Sequence, residues 1–110
     1  PTFTGMFKIP TAAVAAAGSS NTDAAAVAAG FTLVSGANGT KGVKLPTAVA
    51  GSIAIIKNAD AAILKVYPDA LDRINALTVT TGSYNMAAST SVILIAYDAA
   101  TWYSIPLVAS

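Results

Sequence analysis

The sequence predicts an all-β chain: an antiparallel β-sandwich of jelly-roll type, preceded by an extended N-terminal arm. Three observations lead there. From Phe31 onward, apolar and polar residues alternate in short runs. Gly, Pro, Asn and Asp clusters separate those runs at roughly 8–12-residue spacing. The only stretch favouring helix, residues 11–30, is built from Ala runs shorter than the ~12 residues at which an isolated helix becomes marginal.

Residues 1–10 carry Phe3, Met6 and Phe7, with Gly5 and Pro10 breaking any regular period. Three large apolar side chains on such a segment suit an arm that packs on something else. The remaining residues, 11–110, are expected to form one domain, large enough for its own core. Within 11–30, Thr11–Gly18 and Asp23–Gly30 read as a degenerate Ala-rich repeat. Ala favours helix, with Thr22 or Asp23 as a cap and Gly30 as a stop; the shortness of the runs favours strand, and both readings stay open.

Phe31–Ser35 alternates and ends in the turn cluster Gly36-Ala37-Asn38-Gly39. Residues 42–45 form a short strand stopped by Pro46. Residues 52–58 and 62–67 read as a hairpin about Asn58-Ala59-Asp60-Ala61, bracketed by Pro46 and Pro68. Ile53 and Ile55 face one side of the first strand, Ala54 and Ile56 the other. The hairpin would place Lys57 and Lys65 on paired strands, where they charge a sheet face or edge. Residues 77–80 and 84–86 are strand-like about Gly82. Residues 91–97 are apolar on both faces, Val92, Leu94 and Ala96 against Ile93, Ile95 and Tyr97. One face of an antiparallel strand normally meets water, so this strand needs a second layer: a helix, the N-terminal segment or another subunit. Residues 102–107 close the domain, with Pro106 marking an edge.

Chemistry is sparse. The chain has no His and no Cys, and Glu is absent as well. An ordinary Ser-His-Asp triad and Cys-based zinc sites are therefore excluded. Net charge is +1, with a single Arg and no basic cluster, which argues against nucleic-acid binding by counterion release. Asp69 and Asp72 share a loop, but two carboxylates fall short of the six or more oxygens calcium takes. Gly36–Gly42 contains a Gly-Thr-Lys step without the spacing of a phosphate loop. No cofactor and no metal are expected, and the chain is read as a non-enzyme. Tyr67, Tyr97, Trp102 and Tyr103 could stack on sugars; because they alternate with core positions, core or subunit contact is the favoured reading.

Hydrophobic residues make up 55% of the chain and mean hydropathy is +0.64. That exceeds the 45–50% typical of soluble domains, so apolar surface is expected to be buried in an assembly. No run approaches the ~18 apolar residues of a spanning helix. The N-terminus lacks a signal-peptide pattern, which suits a protein made in the cytoplasm.

The runs G-V-K-L-P-T-A-V-A-G (42–51), I-K-N (56–58), L-K-V-Y-P (64–68), R-I-N-A (73–76) and T-W-Y (101–103) resemble a family of small β-structured virion proteins of tailed bacteriophages. The upstream A-A-A-G-S-S-N-T-D-A-A-A-V (15–27) is similar to that family's lead-in, so the resemblance spans Val14 to Tyr103. It implies a structural role, often trimeric, in head decoration (cement) proteins or in tail fibres and spikes. A module standing without a fibre shaft favours a homotrimer bound to the major capsid protein on the outside of a phage head. A tail fibre or adaptor, or a carbohydrate-binding receptor module, is the alternative. Where such modules carry a Gly-containing loop after Tyr-Pro, this chain has Asp69-Ala70-Leu71-Asp72, which makes Leu71 a candidate contact. The expected contact set is Phe3, Met6, Phe7 and Leu71 toward shell or subunit, with Ile93, Ile95, Tyr97 and Trp102 at the subunit interface.

Overall fold

The computed structural model describes residues 8–107; Phe3, Met6 and Phe7 lie outside them. Among the described residues the structure is all-β, with ten strands in two mixed sheets. The strands are β1 (Thr11–Ala15), β2 (Ala25–Ala26), β3 (Gly30–Ser35), β4 (Gly42–Lys44), β5 (Ile53–Asn58), β6 (Leu64–Tyr67), β7 (Arg73–Ile74), β8 (Tyr84–Met86), β9 (Ser91–Ala96) and β10 (Thr101–Leu107). One sheet has the order β1-β3-β5-β9-β10-β7, the other β2-β4-β6-β8.

The pairing corrects the expectation of an antiparallel, jelly-roll arrangement. The first six strands alternate between the sheets, and β1 to β4 each pair in parallel with the strand two further on: β1 with β3 with β5, β2 with β4 with β6. The chain is thus wound as a coil, Thr11 lying beside Phe31 and Phe31 beside Ile55. Antiparallel pairing enters only with β8, β9 and β10, and β7 joins β10 in parallel.

The hairpin expected over residues 52–67 is corrected as well. β5 and β6 belong to different sheets, so Lys57 and Lys65 are not on paired strands. The reason is Asn58, which is fully buried. Its Nδ2 donates to the carbonyls of Ala62 (2.8 Å) and Ala87 (3.2 Å), and its Oδ1 accepts from the Asp60 amide at 3.1 Å. A buried amide that satisfies three backbone groups holds a corner between sheets, not a flat two-strand turn.

Residues 11–30 hold β1 and β2 joined by turns, with no helix: β1 gains the parallel ladder to β3, which outweighs Ala's weak helical preference. The Ala-rich repeat is not a structural repeat, because β1 and β2 lie in different sheets. The strand expected over 77–80 is absent. That stretch is a turn held by Leu77 N–H to Ile74 O and Gly82 N–H to Thr78 O. Pro106 falls where β10 has a partner on one side only, β9, since β7 reaches only Thr101 and Trp102.

Both sheets share one core. Val34, Ile56, Val92, Leu94 and Trp102 from the six-stranded sheet meet Val43, Leu64, Val66 and Met86 from the other. Trp102 is fully buried there, and its indole N–H finds no acceptor among the described residues. Its expected place at a subunit interface is corrected: alternation along β10 turns Trp102 inward and Tyr103 outward.

Candidate interaction surface

Alternation gives the six-stranded sheet a second face, pointing away from the core. The register arranges this face in rows. Ile53, Ile95 and Tyr103 form one row. Thr11, Phe31, Ile55, Ile93 and Ile105 form the next, and Ala13, Leu33, Lys57, Ser91 and Leu107 the third. Ile53, Leu33, Tyr103, Ile105 and Leu107 are 44–51% exposed, while Phe31, Ile55, Ile93 and Ile95 are half-buried by their neighbours. Tyr97, 72% exposed, lies just beyond the first row, its amide bonded to Thr101 O at 2.9 Å; its ring meets Tyr103 edge-on, centroids 6.1 Å apart at 75°.

Lys57 is the one charged side chain in these rows, and its Nζ is tied to the Ser89 carbonyl at 2.8 Å. Five strands and three rows span roughly 24 by 20 Å at ordinary strand and pleat spacings. That is roughly 500 Å² of nearly uncharged surface, the size of the largest patches on monomers, which are often functional.

Three of the expected interface residues, Ile93, Ile95 and Tyr97, therefore share this face. Tyr103, read from the sequence as a core or subunit contact, belongs to it too, as do Phe31, Leu33, Ile105 and Leu107, which were not marked in the sequence. The signal was present in the apolar odd-numbered positions of residues 31–35 and 103–107, but the register across β3, β5, β9 and β10 was needed to assemble them.

Leu71 lies elsewhere, in the loop between β6 and β7, and is 80% exposed. Its amide donates to Thr80 Oγ1 at 2.9 Å, and the Thr80 amide donates to Asp72 O at 2.8 Å. These bonds join the two halves of residues 68–82 and bring exposed Leu71 and Val79 onto the same loop structure. Leu71, Asn75 and Thr80 all have positive φ, at 71°, 53° and 69°. That is costly for Leu and more so for β-branched Thr. Such strain persists only where surrounding bonds over-determine it, as they do here. Buried Asp72 accepts the Ala48 amide at 2.9 Å. Asp69 accepts the Thr47 hydroxyl and pairs with Lys44 at 3.7 Å. The Thr47 hydrogen bond, aided by Lys44, holds the Asp69 carboxyl below its ordinary range. Both carboxylates thus anchor loops, and no group of three or more metal-ligating side chains occurs among the described residues.

Two clefts of about 380 Å³ open on the described surface. One is apolar, lined by Ile9, Pro10, Ala29, Gly30, Gly51, Ile53 and Ile55, and opens beside the sheet face. The other is polar, formed by Ser19, Ser20, Asn21, Lys65, Tyr67, Thr81 and Ser83. The Tyr67 hydroxyl donates to Ser19 O at 2.8 Å, and burial pushes its pKa up. At the rim, Asp23 Oδ1 accepts the amides of Ser19 (3.0 Å) and Ser20 (2.9 Å), which hold its carboxyl below the ordinary value. Gly18, at φ +67°, makes this possible: a Cβ there would lie 2.3 Å from Asp23 Oδ1.

No helix among the described residues is long and apolar enough to cross a membrane. Comparison of the chain with family models, with curated proteins and with solved structures finds no match.

Proposed function

We propose that this chain is a structural virion protein, a β-sandwich-like cement module with an extended N-terminal arm that acts as a homotrimer on the outside of a phage head. The observation that carries this reading is the nearly uncharged outer face of the six-stranded sheet. Ile93, Ile95 and Tyr97 lie on it among other apolar side chains, a surface suited to burial between copies. The strained loop presenting Leu71 is the contact offered to the major capsid protein, and the virion-protein resemblance agrees with both assignments.

Immunogold labelling of particles purified from a culture expressing the chain tests the location. Gold over head shells is the expected result. Gold confined to tails would move the chain to a fibre or adaptor role, and no label on particles would overturn the reading.

The polar cleft beside Tyr67 supports a second reading, a carbohydrate-binding receptor module. Hydroxyls of Ser19, Ser20, Thr81 and Ser83, the Asn21 amide and the Lys65 ammonium are the donors and acceptors a sugar uses. Glycan-array binding that Asn21→Ala and Lys65→Ala both abolish would establish it.

A further inference from the structure

The apolar groove lies where β3 and β5 begin. Ala29 and Gly30 form one part of it, Gly51 and Ile53 another, and the incoming chain at Ile9 and Pro10 makes a wall. No lining side chain is charged or carries a hydroxyl. The wall is fixed. Pro10 O accepts the Phe31 amide at 2.9 Å, and Gly30, at φ +110°, is the residue that lets Pro10 approach, since a Cβ there would lie 2.4 Å from Pro10 O. Ile53 and Ile55 belong at once to this groove and to the outer sheet face.

We propose that this groove receives residues 3–7 of a second copy of the chain, Phe3, Met6 and Phe7 supplying the side chains that fill it. The inference rests on the homo-oligomeric reading above and gives the N-terminal arm its partner: a neighbouring subunit, not the shell.

Chemistry and chain direction both argue for it. Residues 2–7, Thr-Phe-Thr-Gly-Met-Phe, bear no charged side chain, so the segment matches the groove in polarity. A Phe buried in such a site is a strong anchor. Direction favours the second copy over the chain's own arm. β1 runs parallel to β3 and β5, so the chain upstream of Thr11 leaves past the strand starts. Ile9 precedes a proline, which biases it to extended backbone. From Met6 to Ile9 there is no Gly, Asn, Asp or Pro to reverse the chain. Continued in that direction, the arm reaches a neighbour's groove more readily than its own.

The chain has no native cysteine, which makes the test direct. Two single-cysteine full-length variants, Thr4→Cys and Ile53→Cys, are mixed and oxidised, and the double variant is oxidised separately at high dilution. The expected result is a disulfide-linked pair of chains in the mixture that neither variant forms alone. An intrachain disulfide in the diluted double variant, with no linked pair in the mixture, would overturn the proposal in favour of the chain's own arm. No disulfide in either sample would overturn it as well. Sedimentation equilibrium of the unmodified protein separates the two readings. An oligomer without cross-linking overturns the groove assignment alone, whereas a monomer overturns the oligomeric reading with it. Phe3→Ser is expected to weaken oligomerisation at least about tenfold with far-UV circular dichroism unchanged; unchanged assembly would contradict the assignment.

Discussion

Ile55 and Ile93 stand opposite each other across the antiparallel β5–β9 ladder, both on the face turned from the core. Phe31 flanks Ile55 on β3, and Ile105 flanks Ile93 on β10, so one row carries four large apolar side chains side by side. Cross-strand pairs of this kind stabilise the sheet itself. They also leave an apolar surface for a partner to cover.

Charge placed in that row should separate folding from assembly. Ile93→Glu is expected to leave far-UV circular dichroism unchanged, because the position is only half-buried, and to abolish the oligomer, because an unpaired carboxylate in a dry interface is costly. The control is Leu94→Ala one residue along, on the core face. It should cost about 2–5 kcal/mol of stability and leave the outer face intact. Urea unfolding with parallel light scattering distinguishes the two effects.

Asn58→Ala should destabilise the fold by about 1–3 kcal/mol per backbone group left unsatisfied and buried. The substitution orphans the Ala62 carbonyl and the Asp60 amide, while the Ala87 carbonyl keeps the Thr90 hydroxyl at 2.7 Å. The unfolding midpoint in urea checks it.

Leu71→Gly removes an exposed side chain from a backbone at φ 71°. Relief of about 1–2 kcal/mol of left-handed strain outweighs the roughly 0.5–1 kcal/mol entropic cost of glycine. A small rise in melting temperature is therefore expected, together with loss of binding to capsid shells in a co-sedimentation assay.

Asp23 and Asp69 both have carboxyls held below the ordinary value of 3.8, Asp23 by the Ser19 and Ser20 amides and Asp69 by the Thr47 hydroxyl. A depressed carboxyl pKa stabilises the fold fully above the unfolded value, and that contribution is lost as pH falls through the lower folded one. Melting temperature should thus hold from pH 7 down to about pH 5 and fall below about pH 4. Asp23→Asn should start lower at pH 7 and lose less between pH 4 and pH 3.

Much of the strand content was legible. Residues 31–35, 42–45, 84–86, 91–97 and 102–107 announce strands through alternation and Gly or Pro stops, and β3, β4, β8, β9 and β10 lie there. The apolar outer positions of residues 91–97 were legible for the same reason. Partnership was not. Residues 52–58 and 62–67 look like a hairpin because a short polar turn joins them, and nothing local tells that Asn58 will be buried and send the chain to the other sheet. Parallel winding of β1, β3 and β5 depends on contacts some twenty residues apart, beyond the reach of any turn signal. Residues 77–80 carry strand-forming side chains, yet the bonds among Leu71, Asp72 and Thr80 fold them into a loop. Trp102 was misplaced because alternation alone does not say which face of β10 is inside.

If the outer face of the six-stranded sheet is buried between copies of the chain, the protein's mass in solution must show it. Sedimentation equilibrium of the full-length protein at micromolar concentration tests it most directly. A species of three times the 10.9 kDa chain mass is expected, reduced to monomer by Ile93→Glu; a wild-type chain that stays monomeric at tens of micromolar would overturn burial of this face.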